Sequence, residues 1–143
     1  MGQNKRSDME QSTPAWWHEL NTWEPENAIA FYGRTLGWEF EGAELNDGSE
    51  YWIAHKEGRP VGGIFVLSEP HYRGIPSHWM TYMAVPDIKA AERATIFSGG
   101  EIVRPAAYIA GVGRLAVVAD AAGAFIGLIE PDEEHALSSS TQH

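Results

Sequence analysis

The chain repeats its own pattern at a spacing of 63 residues, and this internal duplication constrains its fold more than any other feature. The matching positions are the residues at helix starts, helix ends and turns, where capping and backbone geometry restrict the residue type. They pair Glu24 with Asp87, Ala28 with Ala91, Gly37 with Gly100 and Glu57 with Asp120. The repeat predicts two modules with the same order of strands and helix.

The first module reads as one strand, one helix and three strands. Residues 15–23 are rich in aromatic and aliphatic side chains and predict a strand. Pro25 suits the first turn of a helix that runs over Asn27–Leu36 and ends at Gly37. The 3- and 4-residue spacing predicts that its buried face carries Ala28, Phe31, Tyr32 and Thr35. The next strands are predicted at Trp38–Ala43, Tyr51–Lys56 and Val61–Leu67, separated by Asn46-Asp47-Gly48 and Gly58-Arg59-Pro60.

The second module repeats this order, so the predicted class is α+β with two βαβββ modules in tandem. Its helix opens at Pro86-Asp87 and runs to Ser98. Its strands are predicted at Trp79–Val85, Glu101–Val103, Gly113–Ala119 and Ala124–Glu130. The predicted organisation is a disordered tail at 1–13, a first module at 14–68, a linker at 69–77, a second module at 78–131 and a disordered tail at 132–143.

Composition narrows the partners that we expect. Of the formal net charge of −10, −3 lies in residues 132–143 and none in residues 1–13, so residues 14–131 carry −7. This acidic body argues against nucleic acid, which requires clustered Lys and Arg, and would tolerate a cationic small molecule. The chain has no cysteine, no signal-peptide pattern and no apolar run long enough to cross a membrane. We therefore expect a cytoplasmic protein with neither nucleic-acid nor membrane partners.

The chain resembles the vicinal oxygen chelate superfamily, which includes glyoxalases, extradiol dioxygenases and fosfomycin and bleomycin resistance proteins. The resemblance covers residues 17–131. It is carried by Trp17-x-Glu19-Leu20-x-Thr22, Ala30-Phe31-Tyr32-Gly33-x-x-Leu36-Gly37-Trp38, Trp79-x-x-Tyr82-x-x-Val85, Ser98-Gly99-Gly100 and Gly113-Arg114-x-Ala116-Val117-Val118-x-Asp120-x-x-Gly123-Ala124. The pattern is more specific for the glyoxalase/bleomycin resistance/dioxygenase-like fold than for any reaction.

The resemblance implies one curved mixed sheet around a cleft, with metal ligands on the first and fourth strands of each module. Counted from Phe31-Tyr32 and carried over by the repeat, these four positions fall on Trp17, Ile64, Met80 and Gly127. None of them offers an oxygen or imidazole ligand for a hard or borderline divalent ion. We therefore expect no metal and no cofactor, with a divalent metal at a non-standard site as the alternative.

Other side chains are then the candidates for chemistry and binding. Strand alternation places Glu19 on the face of Trp17 and turns His18 to the opposite face, where a hydrogen-bonded structural histidine is expected. By the same alternation His78 and Tyr82 accompany Met80, so Glu19, His78 and Tyr82 are the candidate catalytic residues. His55, His71 and His135 form no ligand spacing with one another. The predicted ligand-binding residues are Trp17, Ile64, Phe65, Met80, Trp79 and Trp52, which could stack on a flat molecule or simply fill the core.

Three functions remain open on this reading. The first is binding of a small aromatic or amphipathic molecule in a cleft without the usual metal ligands. The second is a lyase, isomerase or dioxygenase with a rearranged site that uses Glu19 and His78. The third is sequestration of a drug, as in bleomycin resistance proteins, for which the acidic body suits a cationic compound. The resemblance is also compatible with a homodimer.

Overall fold

The structure is a computed structural model, which describes residues 15–45 and 47–132, with side chains from residue 17 onward. The predicted tail at 1–13, nearly all of the predicted tail at 132–143, Asn46 and His135 lie outside the described residues. The elements are β1 (Ala15–Thr22), α1 (Pro25–Leu36), β2 (Glu39–Glu44), β3 (Glu50–Lys56), β4 (Arg59–Val66), β5 (His78–Ala84), α2 (Ile88–Phe97), β6 (Glu101–Ile109), β7 (Gly113–Ala119) and β8 (Phe125–Pro131). This order confirms the two predicted βαβββ modules.

The chain divides into two compact units. The first unit is Trp17–Thr81, and the second unit contains the described residues from Tyr82 onward together with residues 15–16, so the divisions fall within β5 and β1. Among the described helices, neither is long and apolar enough to cross a membrane.

In the first unit the strand order is β2-β3-β4-β1, with β1 and β4 parallel and the other neighbours antiparallel. Helix α1 packs on one face of this sheet. Leu20, Ala28 and Ile64 form the centre of that contact. Their partly buried neighbours are Ile29, Tyr32, Phe40, Trp52 and Val66.

The predicted buried face of α1 was only half right. Ala28 and Tyr32 pack on the sheet, but Phe31 is 56% exposed and Thr35 is also exposed. Ile29 packs toward the sheet instead. Residues at i, i+1 and i+4, here Ala28, Ile29 and Tyr32, lie on one side of a helix, as residues at i, i+3 and i+4 also do. The helix ends as predicted at Gly37, whose φ of 72° lies in the left-handed region that favours glycine.

In the second unit the strand order is β5-β8-β7-β6, with β5 and β8 parallel. Helix α2 begins at Asp87, whose side chain accepts hydrogen bonds from the backbone N–H groups of Lys89 and Ala90, both at 3.1 Å. Strand β6 continues six residues beyond its predicted end at Val103. Pro105 fits within β6 because β6 is the last strand in the order, where proline is tolerated beside register irregularities such as those around Arg104.

Candidate ligand-binding site

The sheet face of the first unit that is turned away from α1 is almost completely buried. We call it the helix-free face. It carries Trp17, Glu19 and Asn21 from β1, Tyr51 from β3, and Gly63 and Phe65 from β4. Glu19 is 1% exposed and Asn21 4% exposed, which is unusual for side chains of this polarity. A ligand that contacts Glu19 must therefore displace or move a side chain that covers this face.

Tyr51 occupies the space above Gly63. A Cβ added to Gly63 would overlap the hydroxyl oxygen of Tyr51, so the glycine is required there by the close approach of the ring. The indole N–H of Trp17 donates to the same hydroxyl oxygen at 2.9 Å. Two buried aromatic side chains and one glycine thus fill this part of the helix-free face.

Glu19 lies beside this aromatic pair and is held by its own strand. The side-chain amide of Asn21 donates to one carboxylate oxygen of Glu19 at 3.2 Å. Because Glu19 and Asn21 are two positions apart on one strand, their side chains project from the same face, as strand alternation predicts. The contact orients the carboxyl group that sequence alone put forward as a general base.

In the second unit, Tyr82 covers a strand glycine, as Tyr51 does in the first unit. It is fully buried, and its ring lies over Gly127, where an added Cβ would overlap the ring. The guanidinium group of Arg104, which is half-buried, donates a hydrogen bond to the Tyr82 hydroxyl. A glycine on the last strand therefore lies under a tyrosine in each unit.

The strand registers correct one of the four positions expected for metal ligands. Glu19 pairs with Gly63 across β1 and β4, and Tyr82 pairs with Gly127 across β5 and β8. The counterpart of Gly127 is therefore Gly63, at an offset of 64, and the predicted position at Ile64 was wrong by one residue. Because a one-residue slip turns a strand side chain to the opposite face, Ile64 packs under α1 instead. With this register, the four positions that the resemblance implies become Trp17, Gly63, Met80 and Gly127.

The remaining predicted ligand-binding residues are divided between the helix-free face and the side of α1. Trp52 packs with Ile64 under α1, whereas Phe65 is on the helix-free face. Trp79 is 42% exposed and donates its indole N–H to the Tyr32 hydroxyl at 3.2 Å, on the side of α1. His78 and Met80 are half-buried.

Two histidines of the described chain, His78 and His18, make contacts through Nδ1. His78 makes its hydrogen bond through Nδ1 to the carbonyl oxygen of Pro76 at 2.8 Å. His18 was expected to be half-buried and hydrogen-bonded; it is exposed and contacts the Thr81 hydroxyl through Nδ1 at 3.4 Å. Within residues 15–45 and 47–132, no three Asp, Glu or His side chains come together as a possible metal site.

A depression lies on the β2–β3 hairpin and has a volume of about 530 Å³. Of the residues predicted for the site, only Trp52 lines it; the other lining residues are Gly42, Ala43, Glu44, Gly48, Glu50 and Tyr51. Glu44 and Glu50 face each other across the hairpin, and Glu50 accepts the indole N–H of Trp52 at 2.8 Å. This depression is open and acidic, in contrast to the buried helix-free face.

Sequence reasoning missed Tyr51 and Arg104. A signal for Tyr51 was present, because Gly62-Gly63 inside a predicted strand indicates the close approach of a neighbouring group. No such signal existed for Arg104, because the strand that carries it was predicted to end one residue earlier.

Known proteins resemble this chain in sequence and in fold. No family model matches the chain. A Mycobacterium bovis protein named "Putative glyoxylase CFP32" is 35% identical over 115 residues, which are 80% of this chain and 43% of that protein. The crystal structure of methylmalonyl-CoA epimerase from Mycobacterium tuberculosis matches with a TM-score of 0.60 and 21% identity over 88% of this chain and 93% of that one. The chain belongs to the vicinal oxygen chelate superfamily.

Within the superfamily, this chain is also similar to a biosynthetic protein. The Streptomyces peucetius "Anthracycline biosynthesis protein DnrV" is 27% identical over 122 residues, which are 78% of this chain and 44% of that protein. The chain spans less than half the length of the curated relatives that it matches. The similarity to the epimerase concerns the fold alone.

Proposed function

We propose that this superfamily member binds a small aromatic or amphipathic molecule in a cleft that lacks the usual metal ligands. The observation that carries the proposal is the set of residues at the four ligand positions, Trp17, Gly63, Met80 and Gly127. Glycine has no side chain, the indole nitrogen of tryptophan only donates, and the methionine thioether is a soft ligand suited to copper(I). A hard or borderline divalent ion would find no ligand among them.

The aromatic side chains next to these positions support the proposed ligand class. Trp17, Tyr51 and Phe65 share the helix-free face, and flat molecules bind such surfaces by stacking and edge-to-face contacts. The relatives named for anthracycline biosynthesis support the same class, because anthracyclines contain fused aromatic rings. Since those relatives are more than twice as long as the matched segment, their full activity is not carried over to this chain.

A binding titration tests the proposal. Daunorubicin, an anthracycline with its own fluorescence, would be titrated with the full-length chain and with a Trp17→Ala variant. We expect saturable binding by the wild-type chain and a loss of about tenfold or more in affinity for the variant, as for an aromatic residue that contacts ligand. No saturable binding, or equal affinity of the two proteins, would count against the proposal.

A second candidate is an enzyme that uses Glu19 as a general base, with His78 and Tyr82 as further catalytic residues. The observation that favours it is the burial of Glu19 together with its hydrogen bond from Asn21, because burial and fixed orientation suit a catalytic carboxylate. Glu19→Gln preserves the shape of the side chain and removes its basicity. Unchanged turnover of any substrate by this variant would eliminate the candidate.

Sequestration of a cationic drug is the third candidate, favoured by the charge of −7 on residues 14–131. Electrostatic attraction between exposed charges weakens as salt shortens the screening length. The daunorubicin titration at low and at high ionic strength therefore separates this candidate from purely apolar binding. Affinity that is independent of salt would argue against sequestration by charge.

A further inference from the structure

The segment between β4 and β5 is a folded strap. We define the strap as residues 68–77, of which sequence analysis treated 69–77 as a linker. Trp23, just after β1, fixes its far end: the indole N–H donates to the carbonyl oxygen of Ile75 at 2.6 Å, and the backbone N–H donates to the Ser77 hydroxyl at 3.2 Å. Ser77 in turn donates to the hydroxyl of Thr22 at 3.2 Å. The strap is thus tied to the end of β1.

Hydrogen bonds within the strap give it a defined shape. The backbone N–H of Tyr72 donates to the carbonyl oxygen of Ser68 at 3.2 Å, and that of Ile75 donates to the carbonyl oxygen of Tyr72 at 3.0 Å. Glu69 and Arg73 form an ion pair at 2.6 Å on the exposed side. Consecutive turns therefore hold Tyr72 in one place.

Tyr72 connects the strap to the helix-free face. Its ring lies edge-on to Phe65, with 5.5 Å between the ring centroids and 82° between the planes. Phe65 is 2% exposed and pairs with Asn21, the residue that donates to Glu19. Tyr72 is half-buried, and within the part of the chain that the structure describes its hydroxyl has no hydrogen-bond partner. A half-buried phenol at the margin of a buried face is placed to meet an incoming molecule.

We propose that the strap closes one end of the helix-free face and that Tyr72 is the strap residue that contacts the bound ligand. The first part rests on the contacts of the strap, and the second rests on the proposed function. A flat aromatic ligand would replace or extend the edge-on contact between Tyr72 and Phe65, because aromatic rings pair at centroid distances of about 4.5–7 Å. The free hydroxyl would add a hydrogen bond to a polar substituent of the ligand, such as a carbonyl or hydroxyl group.

Three variants test the ligand contact in the daunorubicin titration. Tyr72→Ala removes the ring, and we expect affinity to fall by about tenfold; Tyr72→Phe removes only the hydroxyl, and we expect a loss of about threefold. Phe97→Ala removes an aromatic ring that is 93% exposed at the end of α2 and serves as the control, which should bind like the wild-type chain. Equal affinities for all four proteins would overturn Tyr72 as a ligand contact, and so would the absence of daunorubicin binding by the wild-type chain.

The closure by the strap is tested without any ligand. The indole proton of Trp17, which is bonded to Tyr51, would be followed by NMR hydrogen exchange in the same proteins. If the strap covers this face, Tyr72→Ala accelerates this exchange by about threefold or more relative to the backbone amides of β7, whereas Phe97→Ala does not. Unchanged relative exchange in Tyr72→Ala would overturn the strap, whatever the titration shows. Failure of ligand binding with accelerated exchange would instead overturn the proposed ligand class and leave the strap supported.

Discussion

Single glycines under aromatic rings are the residues on which the candidate site depends. Gly63 and Gly127 have no Cβ, and in each case a tyrosine takes up the space that a side chain would need. In the superfamily these strand positions are expected to carry metal ligands, so a glycine there removes the ligand and admits a ring from a neighbouring position. Under the proposed function, the missing metal ligands and the aromatic rings above the two glycines are two effects of the same residue choice.

Gly63→Ala is expected to destabilise the chain by about 1–3 kcal/mol, because the added methyl group must displace the buried Tyr51 ring. Gly42→Ala is the matched control in the same sheet. An added Cβ there meets the Trp52 ring at an ordinary 3.4 Å, and we expect a change within about 0.5 kcal/mol. Chemical denaturation gives both values, and equal effects of the two substitutions would contradict the account of Tyr51.

Trp17→Phe removes the N–H group that donates to Tyr51 while keeping an aromatic ring. We expect a loss of about 1–3 kcal/mol in the free energy of unfolding, since the change leaves a buried hydroxyl oxygen without this donor and removes buried volume. Thermal and urea denaturation check the value. Wild-type stability in this variant would mean that the Trp17–Tyr51 contact contributes nothing.

At the scale of elements, the two helices differ in how they begin. Asp87 caps α2 with two hydrogen bonds from backbone N–H groups, whereas Glu24 before α1 makes no side-chain hydrogen bond to its helix backbone. Asp87→Ala is therefore expected to lower the free energy of unfolding by about 1 kcal/mol. Glu24→Ala, the matched control, is expected to change it less. Denaturation of both variants tests this prediction, and the loss in the free energy of unfolding should be larger for Asp87→Ala than for Glu24→Ala.

The turn between β7 and β8 depends on a charged carboxylate. Hydrogen bonds from the backbone N–H groups of Ala124 and Ala122 lower the pKa of Asp120 below its ordinary value of 3.8. A carboxyl group with a lowered pKa in the folded state stabilises the protein above its unfolded pKa, and this contribution disappears as the pH falls through the folded pKa. Asp120→Asn keeps an acceptor oxygen but cannot titrate. The difference in melting temperature between wild type and Asp120→Asn should therefore shrink from pH 7 to pH 3, and a constant difference would contradict this role.

Element order was predictable from the sequence, and side-chain placement was predictable only in part. The 63-residue repeat fixed the βαβββ order because glycine and capping residues mark helix ends and turns. The same repeat misplaced one site position, because β4 and β8 are related by 64 residues and strand alternation converts a one-residue error into the opposite face. Gly62-Gly63 signalled a close approach but did not identify Tyr51 as the approaching side chain. Tyr72 and Arg104 were beyond the sequence argument, because their roles come from side-chain contacts that sequence periodicity does not encode.

At the scale of the whole molecule, the fold and superfamily are established, whereas the bound molecule and the assembly are proposals. The homodimer stays a prediction, for which light scattering should give twice the chain mass of 15.8 kDa. The relatives are more than twice as long as the segment that they share with this chain, so their names guide the choice of probe and do not define the activity.

The central claim is that Trp17, Gly63, Met80 and Gly127 cannot bind a divalent metal ion. Elemental analysis of the full-length chain, after equilibrium dialysis against zinc, nickel, iron and manganese in turn, tests it most directly. The account predicts metal far below one ion per chain, and the same low content in a Trp17→Phe variant. About one tightly held ion per chain would contradict the account.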